Sequence, residues 1–146
     1  MMRFSWMLVL LAVTASGCSE AGAAKVSGRV KLDGKALADA EVRFCPKDDP
    51  NQIGNSARTR ADGTFELEPD PRTGRILPVG TYVILISKVV EKHGALPPAE
   101  DATMLLAAGA LHNSLPHKYD DFEKSPFKVE IQKGENVLAP FELKSH

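Results

Sequence analysis

Cysteine, tryptophan and net charge are all scarce in this chain. Only two cysteines occur among 146 residues, too few for the disulfide framework that staples many small exported folds. The one tryptophan is Trp6. Basic and acidic side chains number 18 and 19, so the concentrated basic stripe favoured for nucleic-acid binding is missing. No apolar run reaches the roughly 20 residues that a membrane-spanning helix needs. Strands alternating with helices, the mark of a parallel α/β sheet, are also absent.

What is present starts at the N-terminus. Arg3 gives a positive start, and Phe4 to Val13 is apolar apart from Ser5. Ala15-Ser16-Gly17 then precede Cys18. A basic start, an apolar stretch and small residues form a secretory signal. With cysteine directly after the small residues, the segment resembles the lipobox of bacterial lipoproteins. That resemblance implies cleavage before Cys18, a diacylglyceryl thioether on its sulfur, and acylation of the new amino group by a fatty acid such as palmitate. Ala15 stands where Leu or Val is usual. Several acyl chains hold a protein firmly on a membrane where one does not. Ser19, not Asp, follows the cysteine, which resembles the signal for transfer to the outer membrane. The expected location is therefore the cell envelope, lipid-anchored, at an outer membrane facing the periplasm or the surface.

The chain divides on this reading into a signal peptide (1–17), a lipidated cysteine with a flexible tether (18–25) and one domain (26–146). Loss of Arg3 with the signal leaves 17 basic against 19 acidic residues, a charge of −2. With Cys18 lipidated, Cys45 has no partner within the chain. It lies at a strand end before Pro46, without a histidine or basic residue directly beside it in sequence. A small buried hydrophobe is favoured over a reactive thiol.

From Val26 the pattern has period two. Val26, Gly28, Val30 and Leu32 share one face, and Ala40, Val42 and Phe44 another. Residues 53–60 form a weaker strand, 64–67 a short one and 80–90 the most apolar one. Phe127, Val129 and Ile131 alternate with Lys128, Glu130 and Gln132, and residues 137–144 close the chain. Pro140 places that last strand at an edge or a bulge. Asp33-Gly34 and Asp62-Gly63 are turn signals. Residues 97–108 carry Pro-Pro, two acidic residues and an Ala/Leu run, a helix-start pattern. The expected fold is all-β: a seven-stranded β-sandwich with one short helical insert, Ala102 to Leu111. That insert is apolar on most sides, and covering a sheet is favoured over docking a partner.

Three blocks of this pattern resemble the carboxypeptidase regulatory-like domain. They are Gly28-Arg29-Val30 with Asp33 to Val42, then Asp62-Gly63-Thr64-Phe65, then Gly80-Thr81-Tyr82. Ala36 stands where that family commonly has proline. Leu115-Pro116, Lys118-Tyr119, Ser125 and a final hairpin are similar to small bacterial lipoproteins carrying this domain. The resemblance implies a transthyretin/prealbumin-like sandwich, which in carboxypeptidases is an accessory module without catalytic residues. Each block also makes sense as turn and core chemistry, with Phe65 and Tyr82 as interior rings.

Candidate chemistry is sparse. His112 and His117 lie near Tyr119, Asp120 and Asp121, and His and carboxylates are zinc ligand types. A five-residue His spacing across Pro116 is no standard ligand pair, so solvated loop side chains are favoured. Asp48, Asp49 and Asn51 lack the glycine and glutamate of an EF-hand loop. Arg43, Arg58 and Arg60 suggest either a face for an acidic partner or a solvated surface. Lys25 or Lys31 with Asn136 suggests an isopeptide bond, without an evident buried glutamate to assist it. Hydroxyisourate hydrolase shares the transthyretin-like fold, but its C-terminal Tyr-Arg-Gly-Ser is missing here, where the chain ends Phe141-Glu-Leu-Lys-Ser-His146. The expectation is a non-enzymatic, membrane-anchored interaction or structural module with no cofactor, no metal and no nucleic acid. Its partners are the membrane, through the lipid, and an envelope protein or glycan. A carbohydrate-binding module ranks second and a small hydrolase third. Loss of Trp6 with the signal weakens the carbohydrate reading, because sugars stack on exposed rings.

Overall fold

Alternation of apolar and polar residues lays out the strands, and short turns rich in Gly, Pro and Asp separate them. A computed structural model of the chain describes residues 22–91, 109 and 111–146. The signal peptide, Cys18 and the expected helical insert, apart from Gly109 and Leu111, lie outside the described residues. Among the described residues strands number eleven, against the seven expected: β1 (Ala23–Leu32), β2 (Lys35–Ala36), β3 (Glu41–Pro46), β4 (Asn55–Arg58), β5 (Thr64–Glu66), β6 (Gly80–Ser87), β7 (Val89–Glu91), β8 (Leu111–Asn113), β9 (Lys128–Ile131), β10 (Gly134–Val137) and β11 (Phe141–Leu143). One 3₁₀ turn, His117–Tyr119, is the only helix among the described residues. The fold is all-β, as expected.

Two sheets share the core. One has the order β4-β3-β6-β9, and the other gathers β2, β5, β10 and β11 around β1. β1 starts three residues ahead of the expected strand, and Ala23 N donates to Leu77 O at 2.8 Å. The expected final hairpin does not form. β9 pairs with β6, whereas β10 and β11 pair in parallel with successive stretches of β1. The turn between β9 and β10 therefore carries the chain from one sheet to the other. The long apolar run is also divided. After Lys88, β7 leaves the four-stranded sheet and pairs with β8. Asn113 Oδ1 pins this junction by accepting from Lys88 N at 3.0 Å and Leu115 N at 3.1 Å.

Six rings run through the core as a chain: Tyr82, Phe44, Phe65, Phe141, Phe127 and Tyr119, with successive centroids 5.1–6.3 Å apart. Such spacing suits tilted and offset ring pairs. Val42, Phe44, Phe65, Tyr82, Ile84, Ile86 and Ile131 are buried, as the alternation requires, while Phe127 and Val129 are partly buried against the same cluster. Two glycines make this packing possible. A Cβ on Gly28 would sit 2.8 Å from the Phe65 ring. Gly63 has φ +78°, and a Cβ there would meet Val30 O at 2.6 Å, so only glycine suits both the turn and the approach.

Candidate functional site

A broad open groove of about 1020 Å³ lies at one end of the two sheets. The loop of residues 47–54, between β3 and β4, forms one wall, and the loop of residues 67–79, between β5 and β6, forms the other. Asn55 ties them together, its amide donating to Glu68 O at 2.8 Å and Ile76 O at 3.0 Å. The second loop winds around Asp70, which is 8% exposed. Asp70 Oδ1 accepts from Arg72 N at 2.7 Å and Oδ2 from Arg72 Nη2 at 2.9 Å, while Gly74 N donates to the Asp70 carbonyl at 2.7 Å. The Arg72 guanidinium and backbone N–H hold the Asp70 carboxyl below its ordinary pKa.

The groove offers amides, hydroxyls and guanidinium groups, including Asn51, Gln52, Ser56, Thr73 and Arg72. Its lining holds no histidine, and Asp70, its one carboxylate, is committed to Arg72. Tyr82 borders it but is 4% exposed, and its hydroxyl donates to Pro78 O at 3.0 Å. Burial raises the Tyr82 pKa. Such a lining suits hydrogen bonding to a polar ligand. Among the described residues that line it, no nucleophile is paired with a base of the kind acyl transfer uses. This groove was not legible in the sequence, because two loops without periodicity build it. The turn residues around Asp70 were the nearest signal.

Of the His/Asp cluster, His117 and Asp121 come together, while Asp120 and His112 are placed elsewhere. Asp120 accepts from the Arg43 guanidinium. Asp121 Oδ2 is 3.0 Å from Lys124 Nζ and 3.6 Å from His117 Nε2, and Asp121 Oδ1 accepts from the backbone of Glu123 and Lys124. Lys124 is the main cause of the lowered Asp121 pKa. His112 sits on β8 opposite Val90, exposed. Among the described residues no group of three or more His, Cys, Asp or Glu is placed to hold a metal ion.

The remaining candidates have local explanations. Asp49 Oδ1 accepts from Asn51 N at 3.1 Å in an exposed turn. Asn136 serves its own turn with Gln132, while Lys25 pairs with Glu66 at 3.8 Å and Lys31 with Glu142 at 3.3 Å. These lysines and Asn136 are thus engaged elsewhere, which opposes the isopeptide reading. The register sets Arg58 opposite Glu41, and Arg43 is paired with Asp120. Cys45 is buried on the outer side of the four-stranded sheet with Val83, Leu85 and Phe122. Desolvation raises its thiol pKa, aided by Asp120 and opposed by Arg43. It is a packing residue.

No family model matches this chain, and no curated protein matches it. Among solved structures it is similar to a DUF3823 family protein from Parabacteroides merdae ATCC 43184, at 17% identity and a TM-score of 0.34. The match covers 82% of this chain and 44% of that one. The chain therefore spans less than half the length of that structure.

Proposed function

We propose that this chain is a lipid-anchored envelope protein whose β-sandwich is a non-catalytic interaction or structural module. Its architecture is of the transthyretin-like, carboxypeptidase regulatory-like kind. The observation that carries the reading is the signal-like run ending in Gly17-Cys18, with β1 starting only five residues later at Ala23. An acylated Cys18 would tie the domain closely to its membrane. The glycine requirements at 28 and 63, two of the motif positions, support the domain assignment. Fractionation tests the anchor. Wild type should sediment with membranes and Cys18→Ser should be soluble, and a wild type already soluble after lysis would refute it.

The polar groove supports a second reading, a carbohydrate-binding module. Against it, the exposed large hydrophobic side chains among the described residues are the aliphatic Ile53, Val79 and Val137, so no exposed ring offers a stacking platform. Calorimetric titration with envelope glycans, compared between wild type and Gln52→Ala, would detect a groove-dependent affinity.

A further inference from the structure

Covalent reach limits where the sandwich can stand. Gly22 bridges to Pro78, and Ala23 N donates to Leu77 O at 2.8 Å. The chain is thus fixed to the domain from residue 22 onward. An extended chain covers at most about 3.3–3.6 Å per residue, so four steps from Cys18 to Gly22 reach roughly 14 Å. The headgroup layer takes up about 5–8 Å of that distance. An acylated Cys18 therefore holds this end of the sandwich against the headgroups.

The end in question is well defined. β1, β4, β6 and β10 begin there, and β3, β5 and β9 finish there. The loops of residues 47–54, 67–79 and 132–133 form its surface. Of the three exposed large hydrophobics among the described residues, two are here: Ile53, 51% exposed, and Val79, 47% exposed. Val79 directly follows Pro78, the residue bridged to Gly22. Water-facing aliphatics at the place where the tether leaves are what an interfacial contact needs. Charge does not recommend this surface to anionic lipid in particular. Lys47, Arg72, Arg75 and Lys133 are matched in these loops by Asp48, Asp49, Glu68 and Asp70.

We infer that this end docks on the phospholipid leaflet that holds Cys18, with Ile53 and Val79 seated at the boundary between headgroups and acyl chains. The inference rests on the lipid-anchor reading and adds an orientation to it. The groove then opens toward the membrane surface, and the far end, with the Asp33-Gly34 turn, faces away.

The mature chain has no tryptophan once Trp6 is removed, so single tryptophans report cleanly. Full-length precursor carrying Val79→Trp, Ile53→Trp or, at the far turn, Lys35→Trp is processed in cells, and acylation is verified by mass. Each protein is then reconstituted into phosphatidylcholine vesicles with brominated acyl chains. Fluorescence of the Val79→Trp and Ile53→Trp proteins should fall by roughly two-fold or more and shift to the blue, as for a side chain at the interface. The Lys35→Trp signal should stay as in unbrominated vesicles, and 0.5 M salt, which screens surface charge, should leave all three unchanged. Near-end probes quenched no more than Lys35→Trp, in protein proven to be acylated, would overturn the docking and leave the anchor standing. Quenching abolished by salt would overturn insertion in favour of charge-driven attachment. A mature mass without acyl groups would instead remove the anchor, and the docking with it.

Discussion

The two faces of the four-stranded sheet are built from alternate residues of the same strands, yet they are closed in different ways. Inward, Val42, Phe44, Tyr82, Ile84 and Ile86 meet the other sheet in an apolar layer threaded by rings. Outward, Cys45, Val83 and Leu85 are likewise buried, and Phe122 from the loop of residues 114–127 lies on them. Polar contacts hold that loop. Asp120 pairs with Arg43, Ser125 Oγ donates to Ile84 O at 2.6 Å, and the Tyr119 hydroxyl accepts from Lys144 N at 2.8 Å. One face is covered by a sheet, the other by a single loop held by these directed contacts and by Leu115, Tyr119 and Phe127, which reach round to the inner core. Substitutions on the two faces should therefore fail differently.

The largest effect belongs to the inner face. Phe65→Ala should lower unfolding free energy by about 3–5 kcal/mol in chemical denaturation, the range for a deleted core phenylalanine. A loss under about 1 kcal/mol would mean that the core does not centre on the ring chain. Next comes the outer face. Asp120→Ala leaves a half-buried Arg43 whose Nε has no hydrogen-bond partner among the described residues, at a cost of about 1–3 kcal/mol. Loss of Asp120 should also loosen the loop. Cys45 should then react faster with a thiol reagent, while in wild type it should react only as fast as the protein opens. Equal rates in the two proteins would show that the loop closes without this ion pair.

The smallest effect lies away from both faces, at Asp70. Its folded pKa is below the ordinary 3.8, chiefly through the Arg72 hydrogen bonds. A lowered carboxylate pKa contributes stability that is fully present above the unfolded value and lost as pH falls through the folded one. Wild type should therefore lose stability more steeply below about pH 4 than Asp70→Asn does. Parallel acid limbs would mean that Arg72 leaves Asp70 unshifted.

The same two faces explain what the sequence disclosed. Alternation at Val42, Phe44 and Phe65 identified the inner layer, because period two reports which side of a strand is dry. It cannot report which strand lies alongside. The segments around Val129 and Val137 looked like one hairpin and proved to belong to different sheets. β6 is apolar on both sides, and alternation alone does not say whether a sheet or a loop supplies the second cover. β2, β7 and β8 are two or three residues long, too short for any period to register. The separate pairings of Asp120 and Asp121 depended on Arg43 and Lys124, of which Arg43 is 77 residues from Asp120. The groove escaped because aperiodic loops make it. Cys18 was the reverse case, a candidate legible in sequence that lies outside the described residues.

The lipid anchor is the centre of this account, and mass spectrometry of the mature N-terminal peptide tests it most directly. The account predicts a peptide that starts at Cys18 and carries a diacylglyceryl group with a further acyl chain on its amino nitrogen. A mature chain starting elsewhere, or a Cys18 with an unmodified thiol, would contradict it.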